Sequence, residues 1–337
     1  MADGKLPAMP APRRPEGPNL PQHPPPLLPF YGEQPPAPDW FTGAIAQAPE
    51  RSWLKVQGAD IEVLAWGRVG DPGVLLLHGQ GAHADWYSFI APLLLPGRRV
   101  VALSFSGMGG SGWRTQYSVA QWADEALAAA QHGGLFESRA KPVVVAHSFG
   151  GFSLMNLAAR HGQLLAKAVI VDTPMRPPTQ IAGGRLSQRR HEDASARSSK
   201  VYPILAEALA RFRLLPPQGC AHPFIADLIA RRGLKTTTGP AGVPGWVWCF
   251  DPFRFRHMGF GRPYQDLQQA RCPVVIVRGG RSRLFTAEIA AQALAVAPPG
   301  AIGLEIADAD HHVMIDQPQA FAAMVADLAP IELETPA

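Results

Sequence analysis

The stretch that decides the fold is Val143-Val144-Val145-Ala146-His147-Ser148-Phe149-Gly150-Gly151. It reads as an apolar strand, a turn of the pattern small-x-Ser-x-Gly, and a helix that opens with small residues. The small residues at positions 146 and 150 let the chain turn sharply, which lifts Ser148 to the helix N-terminus, where the helix dipole favours negative charge. The stretch therefore predicts a nucleophile elbow; an ordinary serine at a helix N-cap is the alternative.

Short apolar runs bounded by loops occur before and after this turn. Such runs suit strands that are buried on both faces of a parallel sheet. Helical stretches lie between them, and an antiparallel hairpin between Ser52 and Trp66 begins the series. The predicted strands cover residues 73–77, 100–103, 143–146, 168–171, 274–277 and 302–306, and the predicted helices cover residues 119–130, 152–159, 287–294 and 319–328. This alternation predicts an α/β fold with a mostly parallel central sheet flanked by helices.

Two segments interrupt the alternation. Residues 1–50 contain 14 of the 35 prolines, which predicts an extended Pro-rich N-terminal arm. This arm is either a disordered tail or packs on the domain through its aromatic residues, Phe30, Tyr31, Trp40 and Phe41. Residues 175–271 show no clean strand run and separate two sheet strands, which predicts an inserted helical cap. The α/β core then covers residues 51–174 and 272–330.

Composition limits the class of protein. A chain of 337 residues with 47% hydrophobic and 17% charged residues suits one α/β domain with an insertion. The net charge of +4 comes without a dense block of Lys and Arg, which argues against nucleic-acid binding. Three cysteines without a CxxC pair indicate neither a disulfide framework nor a zinc site. No stretch resembles a signal peptide or reaches the roughly 18 apolar residues of a membrane span, so a cytoplasmic protein is expected.

A nucleophilic serine also needs a base that accepts its proton. In proteins with this elbow the base is a histidine that follows later in the chain. His311 and His312 lie in a loop between the predicted strand at residues 302–306 and a helix that begins near Gln317. His311 is the predicted base. The alternatives are His312 and a structural pair in which neither histidine acts.

Three motifs together resemble the α/β-hydrolase superfamily, over about residues 52–330. They are Leu77-His78-Gly79-Gln80-Gly81, the Ser148 elbow and the stretch His311-His312-x-Met-x-Asp-Gln-Pro. The chain is similar to capped, single-domain members, which include carbon-carbon bond hydrolases, lactonases, haloalkane dehalogenases and epoxide hydrolases. The last two typically use an aspartate nucleophile, so a serine at position 148 points away from dehalogenation and epoxide opening.

The resemblance implies an oxyanion hole formed by the backbone N–H groups of Gln80 and Phe149. Donors of this kind stabilise a tetrahedral intermediate by about 2.7–4 kcal/mol each. Gly79 and Gly81 permit the tight loop around Gln80, for which a purely structural role is the alternative. His78 is expected to be structural.

The acid of the triad is the main departure from the common pattern. Many members carry it in a Gly-x-x-Asp turn after the strand that here ends at Val277, but residues 278–283 read Arg-Gly-Gly-Arg-Ser-Arg. Some relatives place the acid after the strand that follows the elbow helix, and Asp172 stands there, 24 residues after Ser148. The resemblance therefore implies that Asp172 orients the imidazole. A structural role for Asp172 and an acid at Asp310 are the alternatives.

Aromatic side chains are predicted to form the wall of a substrate pocket. They are Trp86 in the core and Trp246, Trp248 and Phe250 in the predicted cap. Packing inside the cap is the alternative for the last three. An aromatic wall predicts a small-molecule substrate with an apolar part.

The residues and the resemblance predict a serine hydrolase that cleaves a small to medium carboxylic ester or lactone through an acyl-enzyme, with no cofactor and no metal. One alternative is a carbon-carbon bond hydrolase of a diketone or dienoate, in which Arg281 or Arg283 holds a substrate carboxylate. Both arginines are otherwise expected to be solvated. Another alternative is a non-catalytic, hydrolase-like binding protein. Assembly into a homo-oligomer is left open.

Overall fold

An eight-stranded sheet forms the centre of this computed structural model, which describes residues 23–175, 199–239, 242–256 and 258–331. Two further strands, β7 and β8, form a separate hairpin. In chain order the strands are β1 (Glu50–Val56), β2 (Ala59–Trp66), β3 (Gly73–Leu77), β4 (Arg99–Leu103), β5 (Val143–His147), β6 (Lys167–Val171), β7 (Leu234–Thr238), β8 (Pro244–Trp248), β9 (Val274–Gly279) and β10 (Ile302–Ile306).

The strand order in the sheet is β1-β2-β4-β3-β5-β6-β9-β10. Strand β2 pairs antiparallel with both β1 and β4, and every later pairing is parallel. The predicted mostly parallel sheet is therefore confirmed. Strands β3 and β5 are buried along their whole length, because both faces of the sheet are covered, whereas the edge strand β1 stays largely exposed.

Nine α-helices occur among the described residues. They are α1 (Asp39–Ile45), α2 (Val119–His132), α3 (Gly150–His161), α4 (Leu205–Leu209), α5 (Pro223–Arg232), α6 (Pro263–Gln268), α7 (Ala287–Val296), α8 (Val313–Asp316) and α9 (Pro318–Leu328). Side-chain caps set two of the starts: Ser118 accepts from the backbone N–H of Gln121 at 3.1 Å before α2, and Thr286 accepts from that of Ile289 at 3.4 Å before α7. In the part of the chain that the structure describes, no helix has the length and apolar character to cross a membrane.

The two faces of the sheet pack into two separate apolar clusters. Successive strand residues point to opposite faces, so Leu75 and Leu76 of β3 enter different clusters. The cluster of Leu75 contains side chains of α2, α3 and α7. The cluster of Leu76 contains side chains of α9 and of α5, which belongs to the insertion between β6 and β9. The core is thus a sheet between two helical layers, as predicted.

The N-terminal arm contains a helix where the sequence predicts an extended chain. Helix α1 follows Pro38, and its seven residues include no proline that would interrupt it. Phe41 is buried, and its ring centroid lies 4.8 Å from that of Phe224 in α5. Tyr31, by contrast, is 85% exposed. Aromatic packing therefore involves Phe41 and not Tyr31, and residues 1–22 lie outside the described residues.

The insertion between β6 and β9 holds a hairpin in addition to helices α4, α5 and α6. Strands β7 and β8 pair antiparallel, with Thr236 opposite Trp246. The sequence predicts helices alone there, because β7 reads Leu-Lys-Thr-Thr-Thr and so has β-branched residues but no apolar run. Residues 176–198 of the predicted cap lie outside the described residues.

The start of α3 packs closely on the loop after β3. A Cβ at Gly150 would lie 2.5 Å from the carbonyl oxygen of His78. We expect Gly150→Ala to lower the free energy of unfolding by about 1–3 kcal/mol, because the two segments must move apart. The matched control is Gly43→Ala in the exposed part of α1, where no heavy atom lies within 4 Å of the added Cβ; it should raise that free energy by up to about 1 kcal/mol. Equal denaturation midpoints for the two variants would contradict this account.

Candidate active site

Ser148 occupies a strained turn between β5 and α3. Its φ of 52° lies in the left-handed region, which costs a non-glycine residue about 1–2 kcal/mol. Two hydrogen bonds hold the turn: the backbone N–H of Ser148 donates to the Val171 carbonyl at 2.8 Å, and the Thr173 hydroxyl donates to the Ser148 carbonyl at 2.8 Å. The strand, sharp turn and helix expected from the sequence are present, and Ser148 lines a cavity.

Glycines let two neighbouring segments approach the elbow. A Cβ at Gly79 would lie 3.0 Å from the Cβ of Ser148. A Cβ at Gly151 would lie 2.0 Å from the Thr173 hydroxyl oxygen, which anchors the turn. Side chains at these two positions would push the segments apart. The loop after β3, which carries Gln80, therefore stays beside Ser148.

His311 lies in the loop between β10 and α8, with its ring between two partners. Its Nε2 is 2.8 Å from Ser148 Oγ, and its Nδ1 is 2.7 Å from Asp172 Oδ1. The backbone of His311 is held as well, because His147 Nε2 donates to the His311 carbonyl at 2.9 Å. The structure thus brings together the three residues that the sequence predicts as nucleophile, base and acid.

Asp172 follows β6 and is fully buried. Its backbone also has a left-handed φ, of 46°, and its N–H donates to the Val277 carbonyl at 2.7 Å. Besides His311, two groups donate to its carboxylate: the Ser282 hydroxyl at 2.7 Å and the Gly279 backbone N–H at 2.8 Å. Together with His311, these donors satisfy the hydrogen-bonding capacity of the buried carboxylate.

Ser282 is a site residue that the sequence does not predict. It lies in the turn after β9, where many relatives carry the acid and where this chain has none. That turn here supplies two hydrogen-bond donors to Asp172, from Gly279 and Ser282. The signal available in the sequence was the missing acid in the turn after β9. An aspartate that follows β6 instead needs hydrogen-bond donors from the turn that it faces.

The residues considered as alternatives are placed differently. His312 is buried, its backbone N–H donates to Gln218 Oε1 at 2.9 Å, and its ring nitrogens make no hydrogen bond among the described residues. The backbone N–H of Asp310 donates to the Asp316 carboxylate at 2.8 Å, while the partner of the His311 ring is Asp172. On geometry, neither His312 nor Asp310 replaces its predicted counterpart.

Gln80 and Phe149 both line the cavity beside Ser148. The loop that carries Gln80 is fixed by His78, whose Nδ1 is 2.7 Å from the Gly79 carbonyl and whose Nε2 accepts from the Phe105 backbone N–H at 3.0 Å. Burial lowers the pKa of His78 to about 3, so its ring is neutral at ordinary pH. His78 therefore has the structural position expected of it.

The cavity has a volume of about 1540 Å³, and nine of its described lining residues are Phe, Tyr or Trp. Three of the four predicted aromatic residues line it, namely Trp86, Trp248 and Phe250. Trp246 is not among its described lining residues, which is a correction. Its backbone lies opposite Thr236 in the hairpin and exchanges two hydrogen bonds with the backbone of Tyr202, at 2.8 and 2.9 Å. These contacts fix the residue within the insertion.

Neither Arg281 nor Arg283 is among the described residues that line this cavity. The side chain of Arg281 is 57% exposed, and its Nη1 is 3.7 Å from Asp308 Oδ1. Arg283 is exposed as well. The suggestion that one of them holds a substrate carboxylate therefore finds no support, and both fit the solvated alternative.

Three histidines could hold a transition metal ion. His147, His311 and His312 each offer a ring nitrogen, and these atoms lie within 4.8 Å of one another. Burial lowers the pKa of His147 and of His312 well below the usual range, which keeps both rings in the neutral form that binds metals. Both nitrogens of His311 already bond to Ser148 and Asp172, so a metal there would compete with those hydrogen bonds.

Known proteins that resemble this chain include an esterase and a thioesterase domain. Esterase Rv0045c of Mycobacterium tuberculosis is 29% identical over 279 residues, which cover 80% of this chain and 87% of the relative. A solved structure of that esterase has a TM-score of 0.65 at 23% identity and covers 90% of this chain and 95% of its own. The thioesterase domain from the curacin biosynthetic pathway has a TM-score of 0.67 at 23% identity, with coverage of 82% and 99%. At these identities the structural likeness concerns the fold.

A family model also matches most of the chain. The model of the Alpha/beta hydrolase family matches residues 74–324, well over half of the chain. This range begins in β3, ends in α9 and contains the elbow as well as Asp172 and His311. The chain therefore belongs to the alpha/beta hydrolase family.

Proposed function

We propose that this protein is a serine hydrolase that cleaves a small to medium carboxylic ester or lactone through an acyl-enzyme. The observation that carries the proposal is the position of the His311 ring, 2.8 Å from Ser148 Oγ and 2.7 Å from Asp172 Oδ1. Nucleophile, base and orienting acid are recognised by this geometry and by their roles. The similarity to a mycobacterial protein named as an esterase supports the choice of ester bonds.

The first half of the reaction forms the acyl-enzyme. Ser148 Oγ attacks the carbonyl carbon while its proton passes to His311 Nε2. Asp172 accepts a hydrogen bond from His311 Nδ1 and stabilises the imidazolium that results. The backbone N–H groups of Gln80 and Phe149 would bind the oxyanion of the tetrahedral intermediate. When the intermediate collapses, His311 returns the proton to the departing alcohol oxygen.

The second half releases the acid. Water enters, and His311 Nε2 accepts one of its protons as the oxygen attacks the acyl carbon. A second tetrahedral intermediate forms, and Ser148 Oγ leaves with the proton from His311. For a lactone the alcohol and acid products are parts of one molecule. The aromatic wall that includes Trp86 and Trp248 favours a substrate with an apolar part.

The two alternatives are weaker on this geometry. Carbon-carbon bond hydrolysis would use the same three residues, but Arg281, the anchor suggested for it, faces Asp308 instead of the cavity, and the mycobacterial relative is named as an esterase. A non-catalytic binding protein would not need two hydrogen bonds that fix one imidazole between a serine and an aspartate. Ester hydrolysis remains the better account of the site.

The proposal is tested with Ser148→Ala. We expect this variant to lose an intact-mass adduct with a fluorophosphonate and to lose hydrolysis of p-nitrophenyl butyrate by about 10³-fold or more, because no other hydroxyl bonds to His311. The matched control is Ser153→Ala in α3, which removes a buried hydroxyl that has no hydrogen-bond partner among the described residues. Native turnover by Ser148→Ala, or no labelling of the native chain, would reject the proposal.

Ser282 should act as a positioning residue for the Asp172 carboxylate. We expect Ser282→Ala to lower kcat by roughly tenfold with little change in KM, because a hydrogen bond to a charged group contributes about 1.5–3 kcal/mol and part of it is recovered by relaxation. Ser282→Thr keeps the hydroxyl and should restore most of the rate. A steady-state kinetic comparison decides: equal rates in all three proteins would show that Ser282 does not position the acid.

Zinc ion should inhibit hydrolysis reversibly through the three clustered histidines. Transition metal inhibition is described for the M. tuberculosis esterase Rv0045c. We expect activity to fall with added Zn²⁺ and to return with a chelator. His312→Asn removes one of the three ligands, so its inhibition constant should rise about tenfold or more, measured against its own uninhibited rate. An unchanged inhibition constant would place the metal elsewhere.

A further inference from the structure

Arg254 is a buried cation in the wall of the Ser148 cavity. Only 7% of the residue is exposed, and what is exposed borders the cavity. Its Nη1 donates to the Asp251 backbone carbonyl at 2.8 Å, while its Nε has no hydrogen-bond partner in the part of the chain that the structure describes. Arg254 forms no ion pair with the described residues. An arginine has five N–H donors, so most of its capacity is unused.

Asp251 opposes the effect of burial on the pKa of Arg254, but its carboxylate forms no ion pair with the guanidinium among the described residues. Asp251 Oδ2 accepts from the Tyr117 hydroxyl at 2.8 Å, and Asp251 Oδ1 accepts from the Phe253 backbone N–H at 2.8 Å. The Asp251 carboxylate therefore bonds to a backbone group of the insertion and to Tyr117 of the core. Burial lowers the pKa of Arg254 to about 10, which still leaves the guanidinium charged at neutral pH.

The cavity as a whole has the charge that suits an anion. Its described lining residues include four arginines and no aspartate or glutamate: Arg211, Arg213, Arg254 and Arg262. Three of the four are exposed at the rim, where water screens them. Arg254 alone among them is buried, and there the local dielectric is low and an ionic contact is strong.

The position of Arg254 fits recognition close to the reacting bond. Its Nη2 is 3.6 Å from the place that a Cβ on Gly81 would take, in the same loop as Gln80. Its guanidinium carbon lies 5.0 Å from the ring centroid of Phe250 and 4.9 Å from that of Phe255. Stacked rings cover the faces of the guanidinium and leave the donors at its edge for a ligand.

We propose that Arg254 binds a carboxylate of the substrate, so that the preferred ester is a half-ester of a dicarboxylic acid or a lactone with a free carboxylate. This inference rests on the proposed ester hydrolysis. A buried cation without an ion pair among the described residues is unfavourable, and a bound carboxylate would relieve that cost. The planar fork of arginine matches a carboxylate through two parallel hydrogen bonds.

The test compares two p-nitrophenyl esters of equal chain length, the adipate monoester, which has a free carboxylate, and the neutral hexanoate. We expect the native enzyme to favour the adipate monoester in kcat/KM by about 10- to 100-fold, the range for one charge-assisted hydrogen-bonded contact. Arg254→Met should abolish or reverse that ratio. Arg254→Lys keeps the charge without the fork and should give an intermediate ratio. Rates are normalised to the fraction that a fluorophosphonate labels, which corrects for any misfolded protein.

Two control variants test whether Arg254, and not another arginine nearby, sets the preference. Arg256→Met removes an exposed arginine that stacks on Phe253 in the same loop and does not line the cavity, so it should keep the native ratio. Arg262→Met tests a rim arginine; loss of the ratio there, with no loss in Arg254→Met, would overturn the proposal. A native enzyme that hydrolyses both esters equally would also overturn it.

Binding provides a readout that does not depend on turnover. Ser148→Ala should bind the adipate monoester more tightly than the hexanoate in calorimetry, and the double variant with Arg254→Met should bind both alike. If the native chain hydrolyses neither ester and takes no label, ester hydrolysis is rejected, and this binding comparison still decides the role of Arg254. Equal affinity of Ser148→Ala for the two esters would reject the proposed role of Arg254.

Discussion

The Asp172 carboxylate is the group on which the geometry of the site depends. It is fully buried, no lysine or arginine among the described residues pairs with it, and three donors from three different residues satisfy it: His311, Ser282 and Gly279. A buried carboxylate left without such donors would be strongly destabilising. The sheet order makes the arrangement feasible, because β6, β9 and β10 are neighbours and their carboxyl ends open onto the same edge. A single charge thus fixes the loops after three strands.

The insertion is coupled to this site through the loop that follows β4. Tyr117 donates its hydroxyl to Asp251, and Met108 forms an isolated bridge with Phe250. Gly259 and Ser118 form a second bridge at the start of α2. Ser104, at the start of this loop, donates to the buried Glu62 at 2.7 Å. The part of the cavity wall that contains Phe250 is therefore connected to the core through the loop after β4.

Much of the fold and three central site residues could be predicted from the sequence because their signals are local. The elbow is nine consecutive residues, and each buried strand is a short apolar run. Asp172 needed the additional knowledge that residues 278–283 lack an acid. Ser282 could not be predicted, since a serine in a polar turn has no periodic signal and its role depends on contact with another strand end. Trp246 and Trp248 are equally aromatic, and the sequence gives no reason why Trp248 lines the cavity and Trp246 does not.

Weak local signals explain the other differences. Strand β7 has no apolar run, although its partner β8 lies only a few residues further along the chain. Arg281 was a reasonable candidate for a cavity cation because it lies near β9 in sequence, yet the turn directs it toward Asp308. Arg254 lies in a segment rich in aromatic and basic residues, and sequence alone gives no reason to choose it over Arg256. Burial distinguishes the two.

The left-handed backbone at Ser148 and at Asp172 has a consequence for protein engineering. Both residues follow adjacent parallel strands, and both would be relaxed by glycine. Yet each side chain is one that the proposed chemistry requires, so the strain cannot be removed by substitution without removing the group that it presents. Substitutions that raise the thermal stability of this protein and keep its activity must therefore be made at other positions in the chain.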